Sequence, residues 1–318
     1  MEENNTLEKF FFHKDTEILL ANGTSKKAID IEENDILLGM SNYNNIVKKK
    51  YLSKENLYRI ISRYGNSFII GENTKFLTLN NKNLMFDRID LKKYFAFNND
   101  DRNLFSIHKT AVEYNEINLA IDPYFIGIFL GNINKFFIKI KDNNNPFLIQ
   151  SFQETLNTLK LKKISSLNEH IISISDINLD DEIKNTYGFL FGSKYIPDVC
   201  KRNSIYFRRK LLTGIIDINS IKKSNYVEIK NLNKDLAFDV YNLLFSVGIF
   251  HVLIFKEKKD CFTIKIFDDI RHIQFVKEHE PTPNMYNNFK VASIIEKECV
   301  VIEVENFSSI ILSDFTII

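Results

Sequence analysis

Between residues 10 and about 95, apolar positions alternate with polar ones in short runs broken by turn residues, which is the period-two pattern of strands. Thr16-Glu17-Ile18-Leu19-Leu20-Ala21-Asn22-Gly23-Thr24 reads as a strand entering an Asn-Gly hairpin turn. Residues 28–31 and 35–39 read as further strands, and 58–62 and 67–71 flank a second turn signal, Gly65-Asn66. The middle of the chain then changes period. Helical spacing predicts helices over 123–130, 146–161, 208–218 and 233–247, alternating with strand-like runs at 136–140, 226–229 and 261–266. Strand character returns from about residue 285, at 300–304 and 310–316. A β module interrupted by an α/β insertion explains this order. The stretches 96–117 and 162–205 match no motif.

Composition narrows the classes. A chain of 318 residues favours about two domains. Lys and Arg (42) balance Asp and Glu (41), so no bulk basicity advertises nucleic acid. Cys200, Cys261 and Cys299 are widely spaced, against a disulfide framework or zinc site, and suit an intracellular, reducing compartment. No apolar run approaches the roughly 18 residues of a membrane span, and the polar start Met1-Glu2-Glu3-Asn4-Asn5 is unlike a signal peptide, so no membrane partner is expected. His13, His108, His170, His251, His272 and His279 lack metal-ligand spacing and read as surface or satisfied core residues.

Two segments carry the chemistry. Arg208-Arg209-Lys210-Leu211-Leu212-Thr213-Gly214-Ile215-Ile216-Asp217-Ile218-Asn219-Ser220 resembles the LAGLIDADG helix of homing endonucleases. A second copy, Phe125-Ile126-Gly127-Ile128-Phe129-Leu130-Gly131-Asn132-Ile133-Asn134, places Gly127 against Gly214 and Asn132 against Asn219. The resemblance implies two helices packed side by side about a pseudo-twofold axis, with small residues allowing close approach. It also implies one metal-holding carboxylate at the end of each helix. Both of those slots are Asn here. Neutral amide oxygens replace the anionic ligands that Mg²⁺ needs to activate a water. Asp217 falls where the family supports the helix interface, opposite Leu130. Asn132 and Asn219 are read as helix C-caps, since Asn tolerates left-handed geometry.

The outer segments resemble an intein. Phe12-His13-Lys14-Asp15-Thr16-Glu17-Ile18-Leu19-Leu20-Ala21-Asn22-Gly23 is similar to the first block of its Hint module, and Ser67-Phe68-Ile69-Ile70-Gly71-Glu72-Asn73-Thr74-Lys75-Phe76-Leu77 to its second. Residues 307–317 are similar to its closing strands. The resemblance implies an α+β multidomain protein: an all-β Hint-like horseshoe over 10–95 and 285–318, split by an α/β LAGLIDADG-like domain over 118–280, with repeats at about 118–200 and 205–280. Through Thr16, the splicing nucleophile's slot is Phe11, and a phenyl ring cannot accept an acyl group. In the second block the Thr-x-x-His slots hold Gly71 and Thr74, and Thr cannot replace imidazole as an acid. The resemblance would place the closing His-Asn pair after Ile318, and only ten residues precede the first slot, so little is expected to be spliced. His13 stands where the family has a small residue and is given no role.

Single basic clusters, Arg208-Arg209-Lys210 among them, are ordinarily solvated faces. In the endonuclease family, Lys- and Arg-rich sheets below the twin helices form a DNA saddle. Lys135, Lys139, Lys141, Lys222, Lys223, Lys230 and Lys265 fall on or beside strands that would build it, although Asp142, Glu228, Asp268 and Asp269 share those strands. Phe136, Phe137 and Phe262 are read as core. The expectation is a freestanding, intein-derived pseudoenzyme, unable to splice or to cleave DNA, without a cofactor and repurposed as a structural or interaction protein with a protein partner. The alternatives are a non-cleaving binder of double-stranded DNA, and a weak residual nuclease, the one reading that needs Mg²⁺.

Overall fold

A computed structural model describes residues 7–40, 43–62, 66–119, 121–132, 137–141, 163–166, 169–173, 195–250, 252–258, 261–267, 285–305 and 309–318. The fold is mixed α/β and mostly sheet. The chain divides into two compact units, Met1–Val112 with Thr282–Ile318, and Glu113–Pro281.

The first unit carries β1 (Glu8–Phe12), β2 (Glu17–Leu19), β3 (Ser25–Lys27), β4 (Ile36–Leu38), β5 (Asn44–Lys54), β6 (Leu57–Ser62), β7 (Ser67–Gly71), β8 (Phe76–Asn80), β9 (Met85–Ile89) and β10 (Phe105–Lys109), with short helices α1 (Leu91–Ala96) and α2 (Asn99–Arg102). The second unit carries α3 (Pro123–Gly131), β11 (Phe137–Lys141), β12 (Lys163–Ser166), β13 (Glu169–Ser173), α4 (Asp198–Lys201), α5 (Ile205–Asn219), β14 (Ser220–Lys222), β15 (Val227–Leu232), α6 (Lys234–Ser246), β16 (Val252–Lys258) and β17 (Cys261–Ile266). The chain then returns to the first unit with β18 (Met285–Ser293) and β19 (Glu298–Val304).

Ten strands of the first unit form one sheet in the order β4-β5-β19-β1-β7-β6-β18-β10-β8-β9. The sequence explains its centre. β19 is apolar on both faces: Val300, Ile302 and Val304 enter the main core, while Cys299 and Val301 enter a satellite core with Leu57. β1 alternates likewise, with Phe10 and Phe12 stacked at 6.1 Å in the main core and Phe11 against the satellite. The Asn22-Gly23 turn closes the β2–β3 hairpin, with Gly23 at φ 79°.

Two expected strands are something else. Residues 28–31 form a 3₁₀ turn over Ala28–Asp30: Ala28 and Ile31 are the buried pair, three apart, while Ile29 points outward. Residues 310–316 form a tight turn. Ile311 bridges back to Ile317, the Asp314 carboxylate accepts from the Thr316 N–H at 3.1 Å, and Phe315 takes φ 65°. β10 lies in the 96–117 stretch to which no motif was assigned, and joins β8 to β18.

In the second unit, Asp122, Ser204 and Asn233 cap α3, α5 and α6 with side-chain oxygens. Two sheets share a plan. In the β11-β13-β12 sheet the second strand of the β12–β13 hairpin lies beside β11, and in the β14-β15-β17-β16 sheet the second strand of the β16–β17 hairpin lies beside β15. The expected helix 146–161 lies outside the described residues.

Candidate functional site

The first candidate site lies on β1. Phe11 and Thr74 are 63 residues apart, yet the Thr74 hydroxyl accepts from the Phe11 N–H and donates to the Phe11 C=O, each at 2.9 Å. Thr74 is fully buried. A side chain thus holds both polar groups of one residue where β1 leaves its short pairing with β7 at Phe12 and Ile70. Gly71 sits against the other side of Phe11: a Cβ there would lie 2.6 Å from the Phe11 Cβ and 2.3 Å from the Glu55 Oε2. Any side chain at 71 would therefore displace Phe11 or Glu55. Glu55 is buried. Its Oε1 accepts from the Asn73 N–H at 2.7 Å and from the Asn73 amide, while its Oε2 has no partner. Burial raises its pKa above the ordinary carboxylate range, and burial, with Glu55 nearby, pushes the Cys299 thiol up to about 11. Neither group is a ready nucleophile. The structure brings Phe11, Gly71 and Thr74 together. Glu55 was missed, because its carboxylate reaches the slot from the end of β5 and no spacing signals that.

His13 is also near β1. It accepts from the Asp15 N–H at Nδ1 (3.2 Å), which leaves Nε2 to donate to Glu296 at 3.0 Å. His13, Arg59, Ser67 and Asp314 line a shallow cleft on this unit.

The second candidate site is the α3–α5 pair. A Cβ on Gly127 would lie 2.0 Å from the Leu211 carbonyl oxygen, and one on Gly214 would lie 2.1 Å from that of Tyr124. The two contacts are reciprocal, and the backbones meet with no side chain between them. The Tyr124 hydroxyl donates to Asp217 Oδ2 across the pair at 3.0 Å. Burial pushes the Asp217 carboxyl up to about 6, with the Tyr124 hydrogen bond opposing, and raises the Tyr124 phenol strongly.

The two Asn slots differ from the expected left-handed caps. Asn132 caps α3 in an extended conformation, φ −72° and ψ 122°. Asn219 is the last residue of α5, followed by Ser220 as cap, and its amide donates to the Lys230 carbonyl at 2.8 Å. The Asn219 amide thus ties the helix end to β15, where a carboxylate could only accept. Among the described residues, no group of three His, Cys, Asp or Glu side chains is placed to hold a metal ion.

Arg208 and Arg209 are buried, against the reading of their cluster as a solvated face. The Arg208 guanidinium donates to Asn203 O at 2.8 Å and to Ser246 O and Oγ at 2.8 and 2.6 Å, with Tyr114 stacked 4.8 Å away. Burial brings its pKa down to about 10.

Lys135 lies outside the described residues. Lys139 and Lys141 are on β11, opposite Ile171 and Glu169. Lys222 and Lys223 are exposed at the β14–β15 turn. Lys230 and Lys265 share one sheet face, both ion-paired to the buried Glu228, at 3.1 and 3.8 Å. Phe262 is buried against Phe238 on the other face, as expected of a core residue.

The chain matches no protein-family model and no curated protein. Among solved structures it is similar to the gp41-1 intein at 19% identity and TM-score 0.20, over 26% of this chain and 80% of that one. It is similar to a DnaB intein from Synechocystis sp. PCC 6803 at 15% identity and TM-score 0.24, over 32% and 69%. It is also similar to the homing endonuclease I-DmoI, solved in complex with DNA and Mn, at 14% identity and TM-score 0.33, over 48% and 92%. These likenesses are partial, each covering less than half of this chain.

Proposed function

We propose that this chain is a non-catalytic derivative of an intein, a Hint-like unit enclosing a LAGLIDADG-like unit built on a pseudo-twofold helix pair, and that it works as an intracellular interaction protein. The observation that carries the reading is the Thr74–Phe11 clamp. The residue standing in the imidazole slot does contact the amide that an intein would break, but offers it a hydroxyl that cannot act as an acid near neutral pH. The neighbouring nucleophile slot is a phenyl ring packed into a satellite core. The helix pair supports the same reading: its close-packed seam is intact, while both metal slots hold amides, one of them spent on a strand carbonyl. The three cysteines are free, which suits a reducing compartment.

A second reading, binding of duplex DNA without cleavage, is favoured by Lys230 and Lys265 sharing one face of the β14–β17 sheet. The test is binding to random duplex DNA with Mg²⁺, at about 50 and about 200 mM salt, the range over which phosphate contacts weaken steeply. The same samples are scored for nicking. No nicking and no salt-sensitive binding is expected of an interaction protein. Salt-sensitive binding alone selects the second reading, and metal-dependent nicking overturns both.

A further inference from the structure

Glu55, between β5 and β6, is only 9% exposed, and its main chain is fixed on both sides. Its N–H donates to the Lys297 carbonyl at 2.8 Å, and Leu57 two residues on sits in the satellite core. The two carboxyl oxygens differ. Oε1 accepts from the Asn73 N–H at 2.7 Å and from the Asn73 side-chain amide. Oε2 has no hydrogen-bond partner among the described residues, and beside it is the missing side chain of Gly71. Asn73 is followed by Thr74, whose hydroxyl spans the Phe11 N–H and C=O and whose N–H donates to the Gly71 carbonyl at 3.1 Å. Residues 71–74 are therefore one turn with two attachments, Asn73 to Glu55 and Thr74 to β1. Other titratable groups act on this carboxyl from three elements. Glu72, just past β7, disfavours its ionisation; Lys92 on α1 favours it; and the buried Cys299 thiol lies on β19. Glu72 and Lys92 are 3.8 Å apart and oppose each other, and Phe11 on β1 brings no charge.

We infer that Glu55 is a pH-sensitive latch on this slot: protonated, it holds the 71–74 turn and through it the Thr74–Phe11 clamp, and on losing its proton it releases both. A neutral carboxyl keeps the Oε1 acceptor for Asn73 without burying a charge. A carboxylate in the same place leaves Oε2 charged and unsolvated, so ionisation draws the side chain towards water. Asn73 then loses its anchor, and Thr74 beside it lets go of β1. The sign follows from linkage. Burial raises the Glu55 pKa above its ordinary value of 4.5, so the closed slot binds more protons than the open one. The stabilisation is full below the ordinary value and is lost as pH rises through the raised one. The inference concerns the same slot as the function proposed above, but it rests on packing and not on the loss of catalysis.

The test is hydrogen exchange of the full chain from about pH 4 to about pH 8, with each rate divided by the intrinsic rate at that pH. Peptides covering 8–12 and 71–74 are expected to lose protection by up to about tenfold per pH unit above the ordinary value, the limit set by one proton, and then to level off. Glu55→Gln keeps an acceptor for Asn73 and has no proton to lose, so its protection should stay level across the range. Glu72→Gln removes the other acid and leaves Glu55 in place, so it should keep the wild-type dependence; with the wild type it decides the matter if Glu55→Gln does not fold. Wild-type protection that ignores pH in those peptides, an unchanged dependence in Glu55→Gln, or its disappearance in Glu72→Gln would overturn the inference. Cleavage between Phe10 and Phe11 would instead count against the non-catalytic reading and leave the latch standing.

Discussion

Replacing Gly127 with Ala adds one methyl group at the α3–α5 seam, and the geometry fixes what it meets. The new Cβ would lie 2.0 Å from the Leu211 carbonyl oxygen and 3.0 Å from the Gly214 Cα, whereas ordinary contact begins at 3.4 Å. The obstacle is backbone, so no rotamer change relieves it, and the helices must part by more than 1 Å. A gap of about 0.5–1 Å forfeits a quarter to a half of each dispersion contact along the seam. Overpacking of this kind costs about 1–3 kcal/mol and more where nothing yields. Against it stands a helix-propensity gain of about 1 kcal/mol for Ala over Gly. Because the obstacle is backbone, the upper end of that cost applies, and the net expectation is a loss of about 2 kcal/mol or more in local stability. Two units need not unfold together, so a single melting curve is the wrong assay. Hydrogen exchange of peptides from 123–131 and 205–219 reads the seam directly. Protection in both helices should fall together, and Gly214→Ala should reproduce the effect because its contact with Tyr124 is the mirror of the first. Unchanged or increased protection in Gly127→Ala would refute the claim that the backbones touch.

Other expectations follow from the same geometry. Thr74→Val keeps the shape but strands the Phe11 N–H and C=O, at about 1–3 kcal/mol for each unmet buried group, and should loosen exchange in β1; unaltered exchange there would count against the clamp. Asp217 holds its proton up to about pH 6 when folded and to about 3.8 when unfolded, so the native state binds more protons between those values and loses stability as pH rises through them. Asp217→Asn keeps an acceptor for Tyr124 and should stabilise the chain at pH 7 by at most about 3 kcal/mol, less for its partial exposure, with no gain near pH 3. Parallel stability curves for variant and wild type across that window would show that Asp217 is not perturbed. Gly71→Ala should disturb Phe11 and Glu55 and lower the thermal stability of the first unit; a stability equal to wild type would mean that β7 has room to spare.

How far the sequence carried this picture depended on the kind of signal. The helix pair was legible because Gly127 and Gly214 stand in matching apolar contexts, and close approach leaves few alternatives to glycine. The Asn22-Gly23 hairpin and the β6–β7 pair were legible for a different reason, through turn chemistry. The slots at Phe11 and Thr74 were assigned through the resemblance to the Hint blocks, whereas the two hydrogen bonds that join these residues had no sequence signal. Short helices α1 and α2 were passed over, although Asp90 and Asn98 signal their caps. Residues 28–31 misled because Ile29 and Ile31 mimic alternation, while the buried pair is Ala28 and Ile31. Residues 310–316 misled because Phe315 adopts a left-handed φ more usual for glycine, and Asp314, whose side chain closes the turn, was read as part of a strand. Arg208 looked like a surface charge because its partners are carbonyl groups, and a one-dimensional charge pattern cannot register them. The ring of Phe255 was indistinguishable in sequence from a core residue, yet it stands opposite Thr263 and is exposed.

The account's central claim is that the inherited splicing slot no longer breaks a peptide bond. Intact-mass analysis of the full chain after prolonged incubation with dithiothreitol tests it most directly, because the thiol would trap any acyl shift at the amide before Phe11. The account predicts one unchanged mass. A pair of fragments divided between Phe10 and Phe11 would contradict it.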